Sequence, residues 1–168
     1  MSAEGRLPLD PIAEAHRHWM AHGWGEAADG MALVTSVMRA QQILRARVEE
    51  VLRPLELTFA RYEVLMLLHF SRSGALPLVV VGSRLQVHPT SVTSVVDRLE
   101  QQGLVERRAH PTDRRTKLAA VTEEGRSLVL EATGRLNATV FAEPGLGDAQ
   151  VGQLNELLRE LRRNAGDF

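Results

Sequence analysis

Apolar residues recur at steps of three and four over most of the chain, which is the spacing that places them on one face of a helix. The longest such series predicts a helix over about 29–53 that ends before Pro54. Two shorter helices are predicted on either side, over about 10–22 behind Asp10 and from about 59 behind Thr58, because both residues are good N-caps. The first 70 residues are therefore expected to be mostly helical.

The middle of the chain carries one ambiguous segment and one clear helix. Leu78-Val79-Val80-Val81 favours a strand through its β-branched residues, but the next helix follows too closely for a sheet crossover, so a helix over 78–86 is predicted. A second helix begins at Pro89 and ends before Gly103. Its core-facing positions, at steps of four and three, are Val92, Val96 and Leu99. The pair has the spacing of a helix-turn-helix.

Two strand-like runs follow, over 104–108 and 117–121, with His110-Pro111-Thr112-Asp113 as the turn between them. Thr122 then caps a long helix to about residue 143, and a last amphipathic helix covers 148–163. The positions of this last helix expected to face inward are Val151, Leu154, Leu157, Leu158 and Leu161. The predicted fold class is mainly α: a winged helix-turn-helix with a small antiparallel β-hairpin wing and further helices at both ends.

Composition removes several other classes of protein. Of the 168 residues, 44% are apolar but only 4% aromatic, which is typical of an aliphatic core between helices. There is no cysteine, which excludes disulfides, thiolate nucleophiles and Cys-type zinc sites. No apolar run approaches the roughly 18 residues of a membrane span, and the N-terminus lacks a signal-like apolar core. A cytoplasmic protein with no membrane partner is expected.

Charge is distributed unevenly along the chain. The formal net charge is −1, but residues 98–117 hold six Lys or Arg against three Asp or Glu, a local +3 that leaves −4 for the remainder. A basic patch on an acidic body is expected of a protein that docks on double-stranded DNA through one face.

The predicted DNA-binding residues lie at the start of the helix from Pro89 and in the wing. Small hydroxyl side chains allow the helix to approach the major groove closely, and its free N–H groups favour phosphate. Arg115 at the wing tip suits a narrow minor groove, and Asp113 can hold a neighbouring guanidinium. The alternative is an ordinary solvated helix face and an ordinary charged turn. The full set is His88, Pro89, Thr90, Ser91, Thr93, Ser94, Arg98, Arg108, Asp113, Arg114, Arg115 and Lys117.

The wing and the helix before it resemble the MarR family of transcriptional regulators. The family signature, Asp-x-Arg followed after five residues by Leu-Thr and then by Gly, is matched by Asp113, Arg115, Val121, Thr122 and Gly125, with Val in place of Leu. Residues 92–105 are similar to the family's recognition helix and its Gly-Leu-Val exit. The resemblance implies a homodimeric regulator, expected to be a repressor, on a pseudo-palindromic operator.

The resemblance also implies a domain organisation. One domain is expected over 1–163, with an N-terminal extension helix at 10–22, dimerisation helices at 29–56 and 122–163, a winged helix-turn-helix core at 58–121, and a tail at 164–168. Two residues depart from the family pattern. Many members have Arg at the position of Ser94, which weakens the case for base readout there, and Gly at the position of Gln86, so that an unusual turn geometry is predicted.

The resemblance further implies a small-molecule effector. Members commonly release DNA when a small, often aromatic and anionic molecule enters a cleft between the dimer platform and the winged domain. The candidate ligand-binding residues are Trp19, Tyr62, Glu63, Met66 and His69. The extension bearing Trp19 is similar to that of a urate-responsive subgroup. The subgroup's acidic residue corresponds to Glu63, but one of its basic residues corresponds to Val95, so urate is not expected as the effector. The same residues are also typical of an ordinary core.

Three alternatives compete with a ligand-responsive regulator. A helical dimeric interaction module that has lost specific DNA binding fits the net acidity and the uncharged front of the recognition helix. A metal sensor is suggested by His16, His18 and His22, but His16 lies off the face that the others share and no carboxylate or Cys completes the site, so no metal or other cofactor is expected. An enzyme is not expected, because catalytic motifs are missing and His69 is interpreted as a hydrogen-bonded core residue.

Overall fold

The structure is a computed structural model that describes residues 7–110, 112–113 and 116–168. Its contacts divide the chain into one unit that ends at Ala46 and a second unit that begins at Arg47. In the first unit, α1 spans Pro11–Ala21, and the Asp10 carboxylate caps it by accepting a hydrogen bond from the N–H of Ile12 (2.9 Å).

The second helix, α2, spans Gly25–Leu52 and so begins four residues earlier than predicted. The turn before it contains Gly23 at a φ of 80°, a conformation that glycine adopts without steric cost. Trp19 and Trp24 pack edge to face across this turn, with ring centroids 5.4 Å apart.

The second unit contains the rest of the helices of the described chain. The helix α2 ends before Pro54, as predicted, and a 3₁₀ turn at Arg53–Leu55 follows it; a π-helical turn at Asn137–Phe141 follows α6. The α-helices are α3 (Phe59–Phe70), α4 (Leu78–Leu85), α5 (Pro89–Gln101), α6 (Glu123–Leu136) and α7 (Asp148–Asn164). Thr58 and Thr122 cap α3 and α6 with their hydroxyl groups, as predicted.

A three-stranded antiparallel sheet lies beside these helices. Its strands are β1 (Ala75–Pro77), β2 (Val105–Ala109) and β3 (Lys117–Val121), in the order β1-β3-β2. The hairpin of β2 and β3 is the predicted wing, with Arg107 paired to Ala119. The short strand β1 was not predicted. It pairs its Leu76 with the same Ala119 from the other side.

The core of the second unit is aliphatic, as the composition predicts. It is built from α3, α5, α6 and the sheet, and Val92, Val96 and Leu99 of α5 are all at most 1% exposed. The predicted fold class, mainly α with a winged helix-turn-helix, is confirmed.

The ambiguous segment at Leu78 is a helix, in agreement with the prediction. Its β-branched residues are accommodated because Val81 is fully buried, which offsets a weak helix propensity. The turn after it has the unusual feature that the sequence predicted. Gln86 adopts the left-handed conformation (φ 55°, ψ 39°), which glycine takes without steric cost but which is rare for a residue with a long side chain.

Two expectations for the C-terminal helices were wrong. The helix from Thr122 is interrupted near residue 137 by the π-helical turn and does not run unbroken to 143. In α7, Leu154, Leu157 and Leu161 are exposed rather than facing inward. Their spacing puts them on one face, which the second unit leaves uncovered.

None of the helices in the described residues is both long enough and apolar enough to cross a membrane.

Candidate nucleic-acid interface

The start of α5 is shaped by His88 and Pro89. The Nδ1 atom of His88 accepts a hydrogen bond from the N–H of Thr90 (3.3 Å), so the imidazole caps the helix. Pro89 occupies the first helical position, where no N–H is needed. The Thr93 hydroxyl donates to the Pro89 carbonyl (3.1 Å). Local contacts therefore define this end of the helix, which is why the sequence predicted it.

One face of α5 is polar and open to solvent. Thr90, Ser91, Thr93, Ser94 and Arg98, all predicted as DNA-binding, are exposed on it. Within the part of the chain that the structure describes, the hydroxyls of Ser91 and Ser94 have no hydrogen-bond partner. These hydroxyls are free to donate to a phosphate or a base edge.

Thr122 connects the end of α5 to the sheet and to α6. Its hydroxyl donates to the Gly103 carbonyl (2.8 Å) and accepts from the N–H of Gly125 (3.0 Å), while its own N–H donates to the Leu104 carbonyl (3.1 Å). A Cβ atom at Gly125 would collide with the Leu104 carbonyl oxygen. The Thr and Gly of the predicted signature thus have structural roles that hold the helix and the wing in place.

Arg107, on β2, joins the wing to α5. Its guanidinium forms ion pairs with Asp97 and Glu100, and its backbone N–H donates to the Glu100 carboxylate (3.2 Å). The hydrogen bond to Asp97 is the main cause that raises the pKa of Arg107, while partial burial opposes this and Glu100 adds to it. Arg107 was counted in the basic patch from the sequence. In the structure its charge is instead paired with two carboxylates of the same chain, and these ion pairs position α5 against β2.

The turn at the wing tip is organised by His110 and Asp113. The Nδ1 atom of His110 accepts from the N–H of Asp113 (3.3 Å), and the Asp113 carboxylate accepts from the Thr116 hydroxyl (2.6 Å). Asp113 therefore shapes this turn. The predicted Arg114 and Arg115 lie outside the described residues.

The remaining cations of this surface differ in their pairing. Arg108 is exposed but forms an ion pair with Glu106, and Lys117 is exposed at the start of β3.

Sequence reasoning missed Arg61, on the first turn of α3. Its guanidinium donates to Gln102, next to the end of α5 (2.9 Å). No local pattern marks this residue, because its position beside α5 is a consequence of tertiary packing.

Comparisons with known proteins identify this architecture. The family model described as "MarR family" matches residues 57–117. The HTH-type transcriptional regulator YhbI of Bacillus subtilis is 34% identical over 120 residues, which cover 71% of this chain and 73% of YhbI. The crystal structure of Sco5413, a MarR family transcriptional regulator from Streptomyces coelicolor, shares 49% identity at a TM-score of 0.76, covering 83% of this chain and 97% of Sco5413.

This chain belongs to the MarR family. It is a winged-helix, DNA-binding transcriptional regulator and not an enzyme, as predicted. A third relative is CouR from Rhodococcus jostii RHA1, whose structure holds p-coumaroyl-CoA. It is 31% identical at a TM-score of 0.66 and covers 77% of this chain and 90% of CouR.

The candidate effector residues of this MarR family member fall in both units. Trp19 lies in the first unit, and the other four lie on α3 in the second. Tyr62 is only 6% exposed, and its hydroxyl lies 3.2 Å from that of Thr133, whose hydroxyl in turn contacts the sulfur of Met66 (3.6 Å). Tyr62 and Met66 are thereby part of the packing between α3 and α6.

Glu63 and His69 have more unusual surroundings. Burial raises the pKa of the Glu63 carboxyl group. The Nδ1 atom of His69 is buried and has no hydrogen-bond partner among the described residues, which differs from the hydrogen-bonded histidine that the sequence suggested. Its ring lies 5.9 Å from that of Phe70.

The N-terminal histidines contact different groups. His16 lies 2.9 Å from the Asp29 carboxylate, His18 lies 3.2 Å from that of Glu14, and His22 contacts the His18 carbonyl (2.8 Å). The structure, over its described ranges, brings together no group of three His, Cys, Asp or Glu side chains able to hold a metal ion.

Proposed function

We propose that this MarR family regulator acts as a homodimeric repressor on a pseudo-palindromic operator and that a small aromatic or lipophilic anion releases it. Each protomer contributes one reading head, in which α5 enters the major groove and the wing, including Arg114 and Arg115, enters the adjacent minor groove. The observation that carries this proposal is the exposed polar face of α5, with its free hydroxyls, held against the wing by Thr122 and Arg107.

Two exposed apolar stripes support the homodimer. In the first unit, α2 exposes Leu33, Val34, Val37, Met38, Ile43 and Leu44, and in the second unit α7 exposes Leu154, Leu157 and Leu161. Soluble monomers rarely leave such contiguous apolar stripes in water. A second copy of the chain is the simplest partner, because one reading head makes too few phosphate contacts to hold a site.

The effector proposal rests on α3 and on one relative. The buried, unpartnered Nδ1 of His69 is a polar atom that a ligand could satisfy, and Glu63 is a carboxyl group already partly desolvated. CouR, a relative at 31% identity, has p-coumaroyl-CoA bound. An aromatic acid or its thioester is therefore the first class of effector to test on this chain, with Trp19, Tyr62, Glu63, Met66 and His69 as candidate contacts.

The test is selection of bound sequences from a random pool of DNA duplexes, followed by fluorescence anisotropy and a measurement of stoichiometry. We expect an inverted repeat with half-sites about 34 Å apart, two chains per duplex, and weaker binding by Arg115→Ala. Aromatic acids and acyl thioesters are then titrated into the complex, and an active effector releases the DNA. Enrichment of no sequence would favour the interaction module over a sequence-specific regulator.

A further inference from the structure

A pocket of about 360 Å³ opens between the N-terminal end of α3 and the exposed face of α5. It is lined by Thr58, Arg61, Ser94, Val95 and Arg98. Four of these five side chains are polar, and two of them are guanidinium groups from different helices. The site is therefore cationic and rich in hydrogen-bond donors.

The charge of this pocket is not neutralised within the described residues. Arg61 donates to the side-chain oxygens of Thr58 (3.3 Å) and Gln102 (2.9 Å), and Arg98 donates to that of Gln101 (3.3 Å). All of these acceptors are neutral. Arg107, by contrast, is paired with two carboxylates. The Arg61 and Arg98 guanidinium groups are thus held in place by neutral groups that leave both positive charges available.

Thr58 adds a donor to the pocket. Its hydroxyl oxygen accepts from both the backbone N–H and the Nε of Arg61 (3.3 Å each), so its own hydrogen remains free. The 12-residue helix α3 begins at this point, and the positive end of its dipole adds to the two guanidinium charges.

The pocket lies where α5 would leave the major groove. Ser91, Ser94 and Arg98 share one face of the helix, and Arg98 is nine residues beyond Pro89, about 13 Å along the helix axis. The major groove is about 12 Å wide. A helix whose N-terminus reaches the bases therefore brings Arg98 to the phosphates that border the groove.

We infer that Arg61 and Arg98 together bind one phosphate of the operator backbone, with the Thr58 and Ser94 hydroxyls as further donors. The inference rests on the proposed DNA-binding role and adds α3 to the surface that contacts DNA. Guanidinium groups match a phosphate with paired hydrogen bonds, and a contact of this kind fixes the orientation of the protein without reading sequence. Arg61 consequently contributes to affinity for every duplex and not to the choice among them.

The experiment compares wild type with Arg61→Gln on two duplexes, one selected by the wild type and one of scrambled sequence. Anisotropy at about 50 to 200 mM salt gives the slope of log K against log salt, which changes by about 0.9 per phosphate contact, or about 1.8 for two protomers. We expect the slope of Arg61→Gln to flatten by up to that amount, because Arg98 remains beside the phosphate, and its affinity to fall about equally on both duplexes. Arg61→Lys, which keeps the charge, should restore the slope.

Arg72→Gln is the matched control. It removes the same charge from an exposed position just beyond the opposite end of α3, whose last residue lies about 13 Å from Arg61 along the helix axis. Its slope should equal that of the wild type, and circular dichroism should show all variants folded. If the wild type binds no duplex, the proposed function fails and the inference with it. If the wild type binds and Arg61→Gln keeps its slope, the inference alone is overturned.

A free carboxylate offers negatively charged oxygen acceptors, as a backbone phosphate does. A second experiment therefore distinguishes a free organic anion from DNA phosphate as the ligand of this pocket. Wild type and Arg61→Gln are titrated by calorimetry with inorganic phosphate and with benzoate in the absence of DNA. Saturable benzoate binding that Arg61→Gln abolishes, together with an unchanged DNA slope, would assign the pocket to a free anion and overturn the backbone contact. A flattened slope with only weak, unsaturated anion binding supports it.

Discussion

Gln86 and Glu56 have left-handed backbone conformations (φ 55° and 54°), which L-residues other than Asn and Asp rarely adopt. At Gln86 the conformation lets α4 end, and α5 begins three residues later at Pro89. The side-chain amide of Gln86 donates to the carbonyl of Asp167 beyond α7 (2.7 Å), which provides a contact that glycine could not make. The strain is thus partly offset by a link between the helix-turn-helix and the residues that follow α7.

Replacing Gln86 by Gly and by Ala separates these two effects, because both variants lose the amide and only Gly relieves the strain. We expect Gln86→Gly to be more stable than Gln86→Ala by about 1 kcal/mol. The measurement is urea unfolding monitored by circular dichroism. Equal stability of the two variants would mean that residue 86 is not held in the left-handed region.

Glu63 gives the stability of the second unit a pH dependence of known sign. Because its pKa is raised in the folded state by burial, the folded protein keeps this proton at pH values where the unfolded chain has lost it, so stability falls as the pH rises through that interval. Glu63→Gln should therefore melt higher than wild type at pH 7, by on the order of 1–2 °C since solvent screens a partly exposed group. The difference should disappear below the ordinary value of 4.5. Calorimetry that shows the same difference at both pH values would contradict the burial of this carboxyl group.

At the scale of elements, the join between the winged segment and α6 depends on the absence of a side chain at Gly125. A Cβ there would meet the Leu104 carbonyl oxygen, which belongs to the backbone and cannot rotate away. We expect Gly125→Ala to lower the free energy of unfolding by about 2–3 kcal/mol. Gly134→Ala, on the same helix with no atom near its added methyl group, should raise it by up to about 1 kcal/mol. The measurement is the free energy of unfolding of both variants by chemical denaturation. A Gly125→Ala variant as stable as the wild type would contradict the predicted clash with the Leu104 carbonyl oxygen.

The elements that the sequence predicted are those with local signals. Pro89, Gly103 and Thr122 mark their boundaries through their own backbone chemistry, so α5, the wing and the start of α6 could be placed correctly. Strand β1 has only three residues and exists because it pairs with β3, more than 40 residues later, which no local pattern reports. The same limit applies to the site: Ser94 and Arg98 were found from the face of one helix, whereas Arg61 joins them only through packing of α3 against α5.

At the scale of the whole molecule, the proposed homodimer requires partners for apolar side chains that one chain leaves in water. Two symmetric copies present the same surface to each other, so one substitution acts twice across the two-fold axis. Doubling the reading heads also doubles the number of neutralised phosphates, on which affinity depends steeply. Disruption of the dimer and loss of DNA affinity should therefore occur together.

Leu157→Glu tests this coupling. Leu157 is 65% exposed on α7, and a carboxylate there would be desolvated and would face an apolar surface if a second copy covers it. Light scattering should show the mass falling from twice 18.6 kDa to 18.6 kDa, with duplex affinity reduced at least about tenfold. Val79→Glu is the control, because Val79 is 73% exposed in the first turn of α4, where an acidic residue suits the helix dipole. A Leu157→Glu protein that remains dimeric would move the interface away from α7, and a monomer that keeps full affinity would break the link between assembly and DNA binding.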